Sequence, residues 1–237
     1  MLELFVRNIA SILYLTFLLF AIALGSENPF TYNGGSIMGM AGKDCVALAV
    51  DKRYASGSQM VVTAPRRVLT LHSKLMIGLV GLDGDVQTVA QELLTHVGSY
   101  ANRGYWTQLS NRRISPRAMA SLTSHVLYSS RTYYCEPLLV GLSAASENSQ
   151  PFLCSMDMLG AKMYSTNYAC IGAASKSLYG MAEAMWKPEM EQEELVRVCG
   201  RAFLSALERD CLSGYGAIIY LITPNGIIEY DLASRTD

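Results

Sequence analysis

An α+β fold of four layers, α-β-β-α, with two antiparallel sheets stacked between helical layers, is what this sequence predicts. Three observations lead there. Short apolar runs with a period of two, or with no polar residue at all, occur at the start, middle and end of the chain. Segments of helical period come in two pairs, each pair lying between groups of strands. After residue 27 no linker, repeat or low-complexity run intervenes, so residues 28–237 read as one domain.

The elements follow in order. "SIMGM" (Ser36–Met40) and "CVALAV" (Cys45–Val50) read as adjacent strands joined by a tight turn at Ala41-Gly42-Lys43-Asp44. Their near-continuous apolarity predicts strands covered on both faces. "QMVVT" (Gln59–Thr63) and "KLMIGLVG" (Lys74–Gly81) are expected to continue the same sheet. Val86, Val89, Ala90, Leu93, Leu94 and Val97 then recur at helical spacing, with Asp83 or Asp85 as cap candidates. Ser115-Pro116 opens a second helix with the preferred N-cap and first-turn residues. Met119, Leu122, Val126 and Leu127 form its buried stripe. Strands return at Pro137–Ser143 and Pro151–Met158 around the polar turn "AASENSQ". Helices follow over Ser175–Trp186 and Gln192–Asp210. The chain closes with a hairpin, "GAIIYLIT" and "IIEYDL", around Pro224-Asn225-Gly226.

Residues 1–27, "MLELFVRNIASILYLTFLLFAIALGSE", differ from all that follows. The apolar block Ile9–Leu24 exceeds a signal-peptide core of roughly 7–15 residues and falls short of the ~20 residues that cross a bilayer. Read alone, the block with Arg7 before it and Ala21-x-Ala23 behind it suggests a cleavable signal or a short anchor. The other reading is an extension joined upstream of a complete domain. Membrane contact is expected only if this leader is functional.

Composition removes several function classes. The 237 residues are 51% hydrophobic and 16% charged, with a formal net charge of −1. Such a chain buries a sizeable core and creates no field that attracts nucleic acid. Arg66-Arg67 and Arg112-Arg113 read as solvated faces or partner contacts. The six cysteines contain no C-x-x-C pair, and several lie inside apolar runs, as buried thiols of a reducing compartment would. No zinc site and no cofactor is expected. His72, His96 and His125 are scattered and read as core or surface residues.

The segment from about Tyr32 to the C-terminus resembles the beta subunits of the proteasome core particle. The resemblance rests on three motifs in order: "ALAVDKR" closing a strand–turn–strand opening, "KLMIGLVGLDGD" running from strand into helix, and "ERDCLSGYG" before the final hairpin. Within the family, "YNGGSIMGM", "DVQTVAQ", "YYCEPLLVGL", "CSMDMLG", "YGMAEAMW" and "RDCLSGYG" look like the versions carried by the beta type-3 group, which lacks proteolytic activity. The resemblance implies the fold of the N-terminal-nucleophile hydrolases. Active members of that class use the first residue of a self-cleaved chain as nucleophile, with its own amine as base.

The family's spacing, counted back from Asp51, puts the nucleophile position at Gly35, which has no side chain to attack with. The family's lysine corresponds to Arg67, which stays charged and cannot be tuned as an amine can. A family serine falls on Ala173, leaving Ser175 as the nearby hydroxyl. Asp51, Asp210 and Ser213 match accessory positions and have an equally good structural reading as turn and backbone partners. Ser36 is the alternative nucleophile, freed by cleavage after Gly35. Side-chain alternation on a strand is expected to point it away from the site.

The implied role is therefore a non-catalytic beta-ring subunit, in cytoplasm and nucleus, supporting ATP- and ubiquitin-dependent protein degradation. Implied partners are the type-2 and type-4 beta neighbours, the alpha ring and the opposite beta ring. Asp157 and Cys154, on the "CSMD" strand, are expected to border the substrate channel of the type-2 neighbour, where a carboxylate favours a basic side chain. The competing reading has Asp157 capping the turn before Leu159-Gly160. Twelve methionines and fourteen tyrosines agree with extensive interfaces, and "YSSRTYYCEP" (Tyr128–Pro137) reads as a contact segment.

Overall fold

A computed structural model describes residues 29–57, 59–63, 67–102, 114–130, 133–145 and 148–234. The leader, Arg66 and Arg112-Arg113 lie outside the described residues. A single helical turn, α1 (Pro29–Tyr32), precedes β1 (Ser36–Ala41) and β2 (Val46–Asp51), followed by a two-stranded ribbon, β3 (Arg53–Ser56) and β4 (Gln59–Thr63). Next come β5 (Val68–His72), β6 (Leu75–Gly81), α2 (Asp83–Asn102) and α3 (Pro116–Ser130). The second half contains β7 (Cys135–Ala145), β8 (Asn148–Met156), β9 (Lys162–Ser165), β10 (Tyr168–Gly172), α4 (Ser175–Met185) and α5 (Gln192–Leu207). The hairpin β11 (Ala217–Thr223) and β12 (Gly226–Leu232) ends the chain.

Two five-stranded antiparallel sheets form, in the orders β10-β1-β2-β11-β12 and β5-β6-β7-β8-β9. Strand alternation explains the unbroken apolar runs, because each strand feeds two cores. Ile37 of β1, with Val46, Leu48 and Val50 of β2, packs between the sheets against Met76, Val80, Leu138 and Val140. The intervening Met38, Met40, Ala47 and Ala49 face α4 and α5, meeting Leu178, Leu195, Cys199 and Phe203. On the other side Leu75, Ile77 and Leu79 turn outward onto Val89, Leu93, Met119 and Leu127 of α2 and α3. The four-layer α-β-β-α sandwich expected from the sequence is the observed architecture.

Several local expectations are corrected. Gln59–Thr63 and Lys74–Gly81 do not extend the sheet of β1 and β2. The former pairs with β3 in the separate ribbon, and the latter lies in the facing sheet. An apolar strand signals burial but not which sheet supplies its partner. "AASENSQ" is mostly strand, since Ala145 pairs with Asn148 and the hairpin extends to that point. Neither Asp83 nor Asp85 caps α2. Both sit in its first turn, while Asn33, fifty residues upstream, accepts the Asp83 N–H through Oδ1 at 2.9 Å. The Ser115 cap holds, its Oγ accepting the Ala118 N–H at 3.3 Å. Trp186 lies just past α4 and Glu208–Asp210 just past α5. Among the described residues, no helix is long and apolar enough to cross a membrane.

Candidate functional site

The site forms where β1 begins, β2 ends, β10 runs into α4, and the loop after α5 folds back. Asp51, the last residue of β2, is buried and accepts the Arg67 Nη1–H at 2.5 Å, an ion pair shut away from solvent on both sides. The carboxylate also accepts the Ser36 N–H at 3.1 Å and the Gly214 N–H at 3.4 Å. Burial pushes the Asp51 carboxyl up, and the Arg67 charge and the two amides oppose that push. Arg67 Nη2 donates to the carbonyl oxygens of Asn33 (3.4 Å) and Gly34 (3.2 Å).

Gly35 sits directly over this guanidinium. Its φ is +98°, a region that L side chains rarely adopt, and a Cβ built there would overlap Nη1 and Cζ of Arg67. The space a side chain would need at position 35 is filled by arginine. The Gly35 N–H donates to the Leu212 carbonyl at 3.1 Å, and its own carbonyl accepts the Ala173 N–H at 3.0 Å. Ser213 Oγ donates to Asp210 Oδ2 at 2.7 Å. All six positions read from the sequence, Gly35, Asp51, Arg67, Ala173, Asp210 and Ser213, therefore meet at one place.

Ser36 overturns its expectation. Its hydroxyl does not point away from this cluster. It lies 2.8 Å from Ser213 Oγ and accepts the Ala174 N–H at 2.8 Å. The alternation rule fails because Gly35 is outside β1, with a backbone no strand has, so the register begins only at Ser36. The Ser36 side chain is nevertheless completely buried, sharing the helix-facing side of β1 with Met38 and Met40. It has no opening to a substrate.

Cys154 also differs from expectation. It is fully buried among Phe152, Met156 and the α2–α3 core, so it presents nothing to a neighbour. Asp157 is exposed, and its Oδ1 accepts the backbone N–H of both Leu159 (3.0 Å) and Ala161 (2.8 Å), so the turn-capping role is real. Burial pushes the nearby Glu136 carboxyl up, the Gly172 N–H pulls it down, and the Asp157 charge adds to the rise. The two carboxylates thus belong to one electronegative stretch of surface.

Sequence reasoning missed the residues that surround the cluster. Asn33 bridges β3 and α2, and Arg53 donates from Nη1 to the Leu212 carbonyl at 3.0 Å. Backbone groups of Leu212, Ala173 and Ala174 do much of the bonding, and side-chain identity carries no record of them. Only the turn-forming string "YNGG" marked the strand entry as special. Beside the cluster a cavity of about 350 Å³ is lined by Arg53, Asp210, Cys211, Ser213 and Tyr215. Among the described residues, no group of three or more His, Cys, Asp or Glu side chains is arranged to hold a metal ion.

Two stacked antiparallel sheets between paired helices, with the functional cluster at the start of β1, define the N-terminal-nucleophile hydrolase class of fold. Comparison with known proteins narrows this. The family described as "Proteasome subunit" matches residues 31–222. The chain is 40% identical over 210 residues to proteasome subunit beta type-3 of Picea mariana, covering 88% of this chain and 98% of that protein. It is 41% identical over 210 residues, with the same coverage, to beta type-3-A of Arabidopsis thaliana. Against the Drosophila melanogaster beta type-3 protein it is 34% identical over 208 residues, 87% of this chain and 98% of the other. The chain belongs to the proteasome subunit family and is a beta-type member of it.

Proposed function

We propose that this chain is a non-catalytic beta-ring subunit of the proteasome core particle, supporting ATP- and ubiquitin-dependent protein degradation. Its work is to complete the ring and shape a neighbouring active site. One observation carries the reading: position 35 holds a glycine whose missing side chain is replaced in space by the guanidinium of Arg67. Self-processing hydrolysis needs a hydroxyl or thiol at the new N-terminus and a base to take its proton. Glycine supplies no nucleophile, and arginine, charged at any accessible pH, is no base. The similarity to beta type-3 proteins in plants and an insect supports the same conclusion.

In this reading the domain is residues 28–237, and residues 1–27 are no part of the working subunit. It sits between type-2 and type-4 beta neighbours, beneath an alpha ring and against the opposite beta ring, in cytoplasm and nucleus. Asp157 faces the type-2 neighbour and adds negative charge to a pocket that accepts lysine or arginine. The exposed apolar residues Met158, Leu159, Met163 and Tyr164, on and beside the turn that Asp157 caps, support contact at this surface.

The test is the intact mass of this chain from native core particles treated with a covalent probe for N-terminal nucleophiles. The expected chain is unlabelled and begins upstream of Gly35. A chain beginning at Ser36 and carrying the probe would make this subunit a peptidase and overturn the reading.

A further inference from the structure

Residues Tyr32–Gly35 cross the cluster as a strap, and every element bounding the site bonds to it. Along β3, the Tyr32 carbonyl accepts the Gly57 N–H at 2.9 Å and the Asn33 carbonyl accepts the Ala55 N–H at 3.4 Å. Asn33 Nδ2 donates back to the Ala55 carbonyl at 3.0 Å, and the Tyr32 hydroxyl meets Ser56 Oγ at 2.7 Å. On the opposite side Gly35 bonds through its N–H to Leu212 and through its carbonyl to the Ala173 N–H. Beneath, one guanidinium spans the gap. Arg67 holds Asp51 with Nη1 and two successive strap carbonyls, Asn33 and Gly34, with Nη2.

We propose that β3, Arg67 and the loop after α5 form a backbone-binding groove whose resident ligand is this chain's own Tyr32–Gly35 segment, with Arg67 as the positioning residue. The groove's lining groups are main-chain donors and acceptors: the N–H and carbonyl of Ala55, the Gly57 N–H, the Leu212 carbonyl and the Ala173 N–H. The strap satisfies each of them, so no other extended peptide can pair there while it is in place. Asn33, Gly34 and Gly35 are buried, as a bound ligand would be. The planar fork of arginine is what the geometry requires. A lysine ammonium can keep the charge opposite Asp51 but cannot also reach two carbonyls in fixed directions.

This inference rests on the chain remaining uncleaved upstream of Gly35, as proposed above. The intact mass of each preparation is therefore read first. Loss of residues before Ser36 would refute that reading, whereas an intact strap leaves the groove to be judged on exchange alone. Amide hydrogen exchange is then compared between wild type, Arg67→Lys and Tyr32→Phe in assembled particles. In Arg67→Lys the Asn33–Gly35 amides should exchange at least about tenfold faster, as expected for two lost hydrogen bonds, while β2 and β11 stay within about twofold. Tyr32→Phe alters only an exposed contact and should speed strap exchange by about threefold, so it reports even if the lysine variant fails to assemble. Strap exchange unchanged in the variants that assemble, or rising only in step with β2 and β11, overturns the proposal.

Discussion

The hydroxyls of Ser36 and Ser213, 177 residues apart in the chain, lie 2.8 Å from each other. Because Ser213 gives its proton to Asp210, Ser36 must give its own to Ser213, and the Ala174 N–H completes the chain by donating to Ser36. The run from Ala174 through two hydroxyls to a carboxylate ties the start of β1 to the α4 N-terminus and to the loop after α5. Ser36→Ala breaks it at the centre and strands a buried amide. Unfolding by urea should show a loss of about 1–3 kcal/mol at unchanged m-value. A loss below about 0.5 kcal/mol would mean that the relay adds nothing to stability.

Arg67 and Asp51 form a pair that neither can leave. Asp51→Ala buries an unpaired guanidinium and should cost about 3–5 kcal/mol, whereas Asp51→Leu with Arg67→Met removes both charges and should cost clearly less than the two single changes together. A double-mutant cycle by denaturant titration measures the difference. Additive values would show that the pair is not coupled.

Gly35 and Gly57 separate two kinds of glycine. Both have positive φ, +98° and +61°, but nothing lies within 4 Å of a Cβ at Gly57, while one at Gly35 meets Arg67. Gly57→Ala should cost about 1 kcal/mol, the conformational term alone. Gly35→Ala adds displacement of a buried ion pair and should exceed it by at least about 2 kcal/mol. Thermal denaturation of both variants checks the order.

Asp157→Asn keeps an acceptor for the Leu159 and Ala161 amides and removes only the charge. If the carboxylate acts on a neighbour's pocket, particles carrying this variant should cleave after lysine and arginine about two- to fivefold less well, the scale of an exposed charge interaction. Cleavage after apolar residues should not change. Unaltered cleavage after basic residues would confine Asp157 to its turn.

Five of the six cysteines are buried and free, and Cys211 alone is exposed. Burial pushes the thiols of Cys45 and Cys154 up to about 11 and that of Cys170 to about 12, and raises Cys135 and Cys199 as well. At pH 8 the isolated folded chain should therefore take one maleimide, on Cys211, and the urea-unfolded chain six, counted by intact mass. Rapid labelling of a second site in the folded chain would contradict this burial.

The fold was largely legible because double-faced strands and amphipathic helices write their environment into residue type. Val46, Leu48 and Val50 alternate with Ala47 and Ala49, large toward the facing sheet and small toward the helices, and the string "VALAV" states this openly. Sheet membership of β4 and β6 was not legible, since pairing depends on partners far along the chain. The parity of Cys154 could have been read, because Phe152 and Met156 share its face and are plainly core residues. The site divided in the same way. Side-chain positions such as Gly35, Asp51 and Arg67 could be named, but the path of the strap and the turn of Ser36 are set by backbone hydrogen bonds and one positive φ.

The close fit of Gly35 and Arg67 also restricts how this chain can change. A side chain introduced at position 35 collides with the arginine before it can react. Replacing the arginine first exposes Asp51 and gains no nucleophile. Each single step is a loss, so acquiring chemistry here requires at least two simultaneous substitutions across a valley of instability. The two residues form a ratchet in sequence space, and silence at this site is easier to keep than to undo.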